Sequence, residues 1–415
     1  MKKTRPLRSV ALVMLIPVCV ASVASAADVT AFVGARVIDG TGKPAIEKAT
    51  IVVRNGKIEA VGPSVKIPAG AQQIDAAGKT IIPGLISAHS HVNAVPDLDR
   101  FAAYGVTTVF SLGGDDELKF RDQTRAEQQK PTLKRSRLFI AGPIPTSMTP
   151  EEGRKAVDAL AAAKTDIVKI RLDDTLGATK KMTPDVYTAI IDEAHKKGMR
   201  MAVHVVYLSD AKAVLKLGTE YIAHSVRDFD MDGETIALLK KNNSFYCPTL
   251  LREVSTFVYG DNPKFLKDPF FLRDPDPAQV KMANDPQYQA EMKKDPAGKW
   301  YREHLPVAMR NLKKAEDSGV RVVMGTDTGP PQRFQGYFEH LELEYMVNAG
   351  LTPMQTLVAA TSMAATATGD GKQIGSIETG KWADLLVLNG NPLDDIKNTR
   401  KIDSIWIAGN KLPGK

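Results

Sequence analysis

Strands and helices alternate along most of this 415-residue chain, and this alternation is the feature that most limits its fold. Eight predicted strands with interleaved helices predict an α/β fold, a (β/α)8 TIM barrel over residues 81–374. The predicted strands lie near 81–91, 106–112, 136–141, 165–171, 199–206, 220–224, 245–250 and 321–327. The predicted helices lie near 151–163, 183–198, 210–217, 233–242, 305–318, 335–349 and 353–367.

The two chain ends have a different pattern and predict a second, smaller domain. Residues 27–80 consist of short alternating strands with turns, and Asn55-Gly56 is a strong hairpin signal. Residues 375–415 return to the same pattern. We therefore expect both ends to form one small β-sandwich domain beside the barrel.

The first 26 residues have the features of a secretory signal peptide. An apolar stretch of about ten residues is followed by small residues, which is typical of such a signal. It is too short for a permanent membrane anchor. The basic residues before it are Lys2, Lys3, Arg5 and Arg8. We expect cleavage after Ala26 and a periplasmic or secreted protein without a stable membrane anchor.

Export would change the charge and the cysteine count. Without the signal, 51 basic and 48 acidic residues remain, a net charge of +3. So small a charge over this length gives no case for nucleic acid as a partner. Cys247 would be the remaining cysteine, which excludes an intramolecular disulfide. The sequence leaves open whether the protein forms a homo-oligomer.

Candidate metal ligands lie at the ends of the predicted strands. His89 and His91 end the first strand, and side chains two residues apart in a strand point to the same face. Barrel enzymes carry reacting groups at the carboxyl ends of their strands. Imidazole and carboxylate groups suit zinc and neighbouring ions. The other strand-end candidates are Lys169, His204, His224 and Asp327. This set predicts a metal-dependent hydrolase.

Lys169 is the unusual member of this set, because an ammonium group repels a cation. A lysine that has condensed with carbon dioxide becomes a carbamate with a negative charge and two oxygens. A carbamate on Lys169 could bridge two metal ions. The alternative is an ordinary lysine in a salt bridge.

Together the motifs resemble those of the amidohydrolase superfamily, in its imidazolonepropionase-like and Xaa-Pro dipeptidase-like branch. The resemblance covers about residues 29–411. The matching stretches are Ile82-Pro83-Gly84-Leu85-Ile86-Ser87-Ala88-His89-Ser90-His91, Asp166-Ile167-Val168-Lys169-Ile170, Gly325-Thr326-Asp327, Ala349-Gly350-Leu351-Thr352-Pro353 and Gly380-Lys381-Trp382-Ala383-Asp384.

The resemblance implies two divalent metal ions, with zinc expected. His89, His91 and Asp327 would hold one ion, and His204 and His224 would hold the second. Carboxylated Lys169 and a hydroxide would bridge the two ions. The resemblance also implies that Asp327 shuttles the proton to the leaving nitrogen, which suits a metal-assisted hydrolysis.

Three residues are candidates for substrate binding. Arg171 lies two residues after Lys169, so it could hold a substrate carboxylate or pair with Asp173 or Asp174. Tyr207 could polarise the scissile carbonyl, which would make it catalytic as well. His304 adjoins a long segment, residues 251–305, that we expect to be a lid over the site or an interface between subunits.

Three functions compete. The first is hydrolysis of an amide or peptide bond in a dipeptide or N-acyl amino acid at a binuclear site. The second is a mononuclear cyclic-amide hydrolase or deaminase, which Lys169 and the signal peptide disfavour. The third is a non-catalytic ligand-binding barrel, which the presence of Asp327 disfavours. The sequence lacks the Gly-x-Ser-x-Gly and His-Glu-x-x-His motifs of other hydrolases.

Overall fold

The computed structural model describes residues 29–414, and the predicted signal peptide lies outside these described residues. The strands are β1 (Val29–Val37), β2 (Ile46–Arg54), β3 (Lys57–Gly62), β4 (Gln72–Asp75), β5 (Thr80–Pro83), β6 (Leu85–Ser90), β7 (Val106–Ser111), β8 (Arg137–Ile140), β9 (Val168–Arg171), β10 (Met201–His204), β11 (Tyr221–Ala223), β12 (Phe245–Cys247), β13 (Arg321–Val322), β14 (Leu385–Leu388), β15 (Ile402–Ile407) and β16 (Asn410–Lys411).

The α-helices lie between the barrel strands and follow the last of them. They are α1 (Val95–Ala103), α2 (Glu117–Gln128), α3 (Pro150–Ala162), α4 (Pro184–Lys196), α5 (Leu208–Lys216), α6 (Gly233–Lys241), α7 (Leu250–Ser255), α8 (Pro277–Ala283), α9 (Pro286–Lys294), α10 (Pro296–Asp317), α11 (Tyr337–Asn348), α12 (Pro353–Ala359) and α13 (Ser362–Thr368). Within residues 29–414, none of the helices has both the length and the apolar character that a membrane crossing requires.

Eight strands, β6 to β13, form the barrel. β6 to β8 pair in parallel as one sheet, and β9 to β13 pair in parallel as another. Backbone hydrogen bonds join these sheets at both seams: Asp166 N donates to Ile140 O, and Ala88 N donates to Met324 O, each at 2.8 Å. The prediction of a TIM barrel is therefore confirmed.

The chain passes from the small domain into the barrel at Gly84. The strand predicted over 81–91 divides there, because β5 pairs with β1 and β14 whereas β6 pairs with β7. A Cβ atom at Gly84 would collide with the side chain of Thr107. Only glycine allows this close approach. The change of sheet therefore takes place at Gly84, and β5 extends three residues past the predicted domain boundary.

Both chain ends build the small β-domain, as the fold class predicts. Its strands form one sheet in the order β16-β15-β14-β5-β1-β2-β3, and β4 pairs with β1. Leu385 of β14 lies opposite Pro83 of β5. The rings of Phe32 and Trp406, from opposite ends of the chain, meet edge to face at 4.9 Å in its core.

The 251–305 segment folds into α7, α8, α9 and the start of α10, with 3-10 turns at Val258–Asp261, Lys264–Lys267 and Phe271–Arg273 between α7 and α8. Most of its aromatic side chains pack in one cluster with Tyr104, Tyr337 and Phe338 of the barrel. Burial in this cluster accounts for the aromatic content of the segment. Its role as a lid or an interface stays a prediction.

Candidate active site

All six predicted metal ligands line one cavity of about 330 Å³ at the carboxyl ends of the barrel strands. The rings of His89 and His224 lie 4.5 Å apart, and those of His204 and His224 lie 4.2 Å apart. Side chains that are separated by up to 238 positions in the sequence therefore share one small space.

Asp327 lies between the two histidines of the first strand. Its Oδ1 is 2.8 Å from His91 Nε2 and 3.3 Å from His89 Nε2. The donor atoms of these three residues lie within 4.8 Å of one another, close enough to meet at one ion. Asp327 has a φ of +60°, and His224 has a φ of +74°. Such left-handed backbone is unusual for residues other than glycine and is often found at functional sites.

Hydrogen bonds on the far side of two imidazole rings orient the nitrogens that face the cavity. The Nδ1 of His91 lies 2.5 Å from the carbonyl oxygen of Gly113. A carbonyl can only accept, so this Nδ1 carries the proton and Nε2 keeps a free lone pair. The Nδ1 of His224 lies 2.7 Å from Thr249 Oγ1, which leaves its Nε2 for a ligand. Metal-binding histidines commonly have such outer partners.

Lys169, His204 and His224 form the other half of the group. Lys169 Nζ lies 3.5 Å from His89 Nε2, so the lysine reaches the middle of the ligand set. The Nε2 of His204 is buried and faces the carboxylate of Asp173 at 3.2 Å. Burial lowers the pKa of His204 and His224 well below the usual value, which favours the neutral imidazole that binds metals. Beside the group of His89, His91 and Asp327, these neutral imidazoles have the donor chemistry that divalent ions prefer.

Asp173 adds a carboxylate beside His204 that the sequence suggested only as a partner for Arg171. Its Oδ2 lies 3.2 Å from His204 Nε2 and accepts a 2.8 Å hydrogen bond from Arg171 Nη2. Burial opposes ionisation, but the contacts with His204 and Arg171 lower the pKa of Asp173 below its ordinary range. Asp173, not Asp174, is therefore the partner of Arg171.

Arg171 lines the cavity, whereas the other two candidates for substrate binding do not. The hydroxyl of Tyr207 donates a 2.8 Å hydrogen bond to Asp174. His304 stacks on Trp300 with ring centroids 3.8 Å apart. The catalytic or binding roles of Tyr207 and His304 stay predictions that these positions do not support.

Comparison with known proteins gives the family. The model of the amidohydrolase family matches residues 80–412, about four fifths of the chain. This chain belongs to the amidohydrolase family. The family prediction made from the motifs is thereby confirmed.

Relatives of this amidohydrolase have several activities in their names. Ochratoxinase of Aspergillus niger is 24% identical over 285 residues, 66% of this chain, and the chain spans about half (52%) of its length. Imidazolonepropionase of Geobacillus sp. is 26% identical over 382 residues, which cover 83% of this chain and 84% of the relative.

Solved structures share the fold. A Bifidobacterium longum protein provisionally named a prolidase is 28% identical, with a TM-score of 0.75 over 93% of this chain and 94% of its own. An Xaa-Pro dipeptidase with methionine bound in its active site is 22% identical, with a TM-score of 0.73 over 93% of this chain and all of its own. The second likeness shows the fold alone.

Two cavity arginines of this amidohydrolase escaped the sequence analysis. Arg333 Nη1 donates to Asp327 Oδ2, and Arg333 Nε donates to Ser255 Oγ at 3.2 Å. Arg252, on α7, also lines the cavity. Neither residue ends an apolar strand, so the pattern that revealed the histidines could not reveal them.

Glu339, at the start of α11, lies behind the ligands and was also missed. Its buried carboxylate accepts hydrogen bonds from hydroxyl groups that flank the metal-ligand candidates on both segments. The donors are Ser87 (3.1 Å), Ser90 (3.3 Å), Thr326 (2.7 Å) and Thr328 (2.8 Å), and all four bond to Oε1. The other oxygen, Oε2, accepts from the backbone N–H of Gly336 at 2.7 Å. The sequence signal that could have indicated such a buried acceptor was the set of hydroxyl residues in Ser-Ala-His-Ser and Thr-Asp-Thr.

Proposed function

We propose that this amidohydrolase hydrolyses the amide or peptide bond of a small substrate, a dipeptide or an N-acyl amino acid, at a two-metal centre. One observation carries the proposal: four histidines, an aspartate and a lysine at the ends of five barrel strands share one cavity of about 330 Å³. A cavity of this size suits a small molecule rather than a polymer.

In this proposal His89, His91 and Asp327 hold one ion, and His204 and His224 hold the other. Lys169, as a carbamate, would add a negatively charged ligand to this site, where its Nζ lies 3.5 Å from His89 Nε2. When bound, two zinc ions supply an acidified water and polarise the scissile carbonyl.

Asp327 would move the proton during the reaction. It takes a proton from the attacking water and gives it to the nitrogen of the breaking C–N bond, so that this nitrogen leaves as an amine. Arg333, bonded to Oδ2, fixes the carboxylate in place while Oδ1 faces His91. These two contacts orient Asp327 toward the centre of the cavity.

The relatives support a hydrolase of C–N bonds and differ on the substrate. The name prolidase favours a dipeptide. The name imidazolonepropionase keeps a cyclic amide as the second candidate. The buried position of Lys169 among the histidines favours the first candidate, because a bridging carbamate is needed only for two ions.

A substrate screen tests the proposal. Metal-loaded protein would be assayed against dipeptides, N-acyl amino acids and cyclic amides, with metal counted in the wild type and in Lys169→Ala. We expect two ions per chain, cleavage of dipeptides or N-acyl amino acids, and loss of most metal and activity in the variant, with partial rescue by short carboxylic acids. One ion per chain together with cleavage of cyclic amides alone would overturn it.

We also propose that the protein is exported to the periplasm or secreted. N-terminal sequencing of protein recovered from the periplasmic fraction or the medium tests this, and we expect it to begin at Ala27. A cytoplasmic protein that retains Met1 would contradict export.

A further inference from the structure

We propose that Arg252 forms a carboxylate-binding subsite in the catalytic cavity, so that the substrate carries a free carboxylate next to its scissile nitrogen. This inference rests on the proposed function, because it assumes that the substrate enters this cavity. It assigns the anchoring role to Arg252 rather than to the sequence-predicted Arg171.

Burial and stacking hold Arg252 in one orientation. Its side chain is 9% exposed, yet it lines the cavity that contains His204. The guanidinium lies over the ring of Tyr301, 4.4 Å from the centroid. An arginine fixed in this way loses little side-chain entropy when a ligand binds, which favours affinity.

The charge around Arg252 is incompletely balanced. Its Nη1 lies 3.0 Å from Glu253 Oε2, but Oε1 of the same carboxylate lies 3.2 Å from Nη1 of Arg227. All three side chains are buried, with exposed fractions of 9% for Arg252, 1% for Arg227 and 0% for Glu253. Two guanidinium groups therefore share one carboxylate, which leaves one positive charge in surroundings where an unpaired charge is costly.

The other cavity arginines each have a carboxylate of their own. Arg171 pairs with Asp173 at 2.8 Å, and its side chain is 53% exposed. Arg333 is bonded to Asp327. An incoming anion would have to compete with these partners, whereas at Arg252 it supplies the missing negative charge.

The chemistry of the guanidinium and of the scissile bond defines the ligand. A guanidinium presents parallel N–H donors that match the two oxygens of a carboxylate. In a dipeptide or an N-acyl amino acid, one carbon atom separates the free carboxylate from the scissile nitrogen. A carboxylate on Arg252 would therefore place this nitrogen in the same cavity as Asp327. Substrates whose leaving group is a free α-amino acid satisfy both requirements.

Ligand binding to the metal-loaded protein tests the subsite without turnover. The probes are L-methionine, which occupies the active site of a solved relative, and L-methioninamide, which lacks the carboxylate. We expect the wild type to prefer methionine by at least about tenfold in Kd. We expect Arg252→Gln to remove this preference and Arg252→Lys to retain part of it. Arg310→Gln, an exposed arginine paired with Asp230, is the matched control and should keep the full preference.

The outcomes separate the subsite from the proposed function. If Arg252→Gln keeps both its fold and the preference for methionine, or if the wild type shows no preference, the subsite is wrong. If Arg252→Gln does not fold, Arg252→Lys provides the test. An equal preference for methionine over methioninamide in the wild type and in Arg252→Lys would then overturn the subsite. If methionine binds in an Arg252-dependent way but no dipeptide or N-acyl amino acid is cleaved, the proposed function fails and the subsite stands.

Steady-state kinetics give a second readout if a dipeptide is cleaved. Arg252→Gln should raise KM for the dipeptide and leave the slower cleavage of the corresponding dipeptide amide unchanged. An equal loss on both substrates would indicate a purely structural role for Arg252 and would contradict the subsite.

Discussion

Asp327 combines a strained backbone with a carboxylate held from two sides. A left-handed φ at a residue other than glycine costs on the order of 1–3 kcal/mol, so the surroundings must fix it. Its backbone N–H donates to His89 O at 2.8 Å, and its side chain contacts His91 and Arg333. This position is therefore determined by contacts on every side rather than by local preference.

Asp327→Asn separates metal binding from proton transfer. The amide keeps the shape of the side chain and one ligand oxygen, but it cannot relay a proton. We expect kcat to fall by roughly 10²- to 10⁴-fold with a modest loss of metal, measured by steady-state kinetics and metal analysis. Turnover close to that of the wild type would mean that another residue moves the proton.

Glu339→Gln should weaken metal binding without touching a ligand. The NH2 of a glutamine can face either the four hydroxyl groups that donate to Oε1 or the backbone N–H of Gly336 that donates to Oε2. In either orientation one of these sets of hydrogen bonds is lost. Outer partners of metal ligands are commonly worth about 10- to 100-fold in metal affinity. Competition with a chromophoric chelator measures this Kd.

The matched control is Glu344→Gln on the same helix. Glu344 pairs with Arg400, away from the cavity, so its replacement should leave the metal Kd unchanged. Equal metal affinity in Glu339→Gln and the wild type would contradict the positioning role of Glu339.

At the scale of elements, Glu117 joins the ends of two neighbouring barrel strands. From the first turn of α2 its carboxylate accepts from Ser111 Oγ at the end of β7 and from the N–H of Gly142 after β8, the latter at 2.8 Å. Ser111 Oγ in turn accepts from the N–H of Val92, next to His91. Burial raises the pKa of Glu117 to about 8.

This raised pKa predicts a pH-dependent stability. The folded state holds the Glu117 proton more tightly than the unfolded state, so this contribution is complete below the ordinary pKa of 4.5 and is lost as pH rises through about 8. Between pH 5 and 8 the unfolding free energy should therefore fall less steeply in Glu117→Gln than in the wild type. The difference in slope is at most about 1.4 kcal/mol per pH unit. Denaturant unfolding at several pH values measures it.

Two comparisons make this test specific. Burial also raises the pKa of Glu342 to about 8, so Glu342 contributes to the slope in both the wild type and Glu117→Gln. Glu151→Gln, at an exposed residue paired with Lys155 on the surface of α3, should leave the slope unchanged. An identical slope in Glu117→Gln and the wild type would show that Glu117 is ionised throughout this range.

Apolar runs predicted all eight barrel strands, but five helices (α1, α2, α7, α8 and α9) and two breaks, the one at Gly84 and one near Thr361, escaped the prediction. The buried positions of α2 are Glu117, Thr124 and Gln128, so this helix has no apolar stripe to reveal it. α1 was likewise not predicted from the sequence. The helix predicted over 353–367 divides into α12 and α13 near Thr361, whose backbone lies outside the helical region.

Removing the metals should destabilise the whole molecule. A ligand that binds only the folded state adds about 4 kcal/mol of stability at a concentration one thousand times its Kd. Chelation should therefore lower Tm by several degrees in a thermal melt, and addition of zinc should restore it. A Tm that is the same with and without chelator would argue against a metal centre between the barrel strands.

The site shows what sequence patterns can and cannot reveal at the scale of the molecule. The histidines, Lys169 and Asp327 stand at the ends of apolar strands, and the barrel brings them into one cavity. Arg252 and Glu339 gain their importance from contacts that only the fold creates, such as Ser87 with Glu339 across 252 positions. No local pattern marks a residue whose partners are so distant.

The small β-domain shares one sheet between the two ends of the chain, and this has a consequence for the order of synthesis. β5 pairs with β14, so Pro83 must wait for Leu385, about 300 residues later, before its strand has both neighbours. The core of this domain also takes Trp406 from the same late segment. During translation the early strands therefore present an unpaired edge, which is a site for aggregation. A ribosome that stalls within the barrel would release a chain whose first domain cannot close.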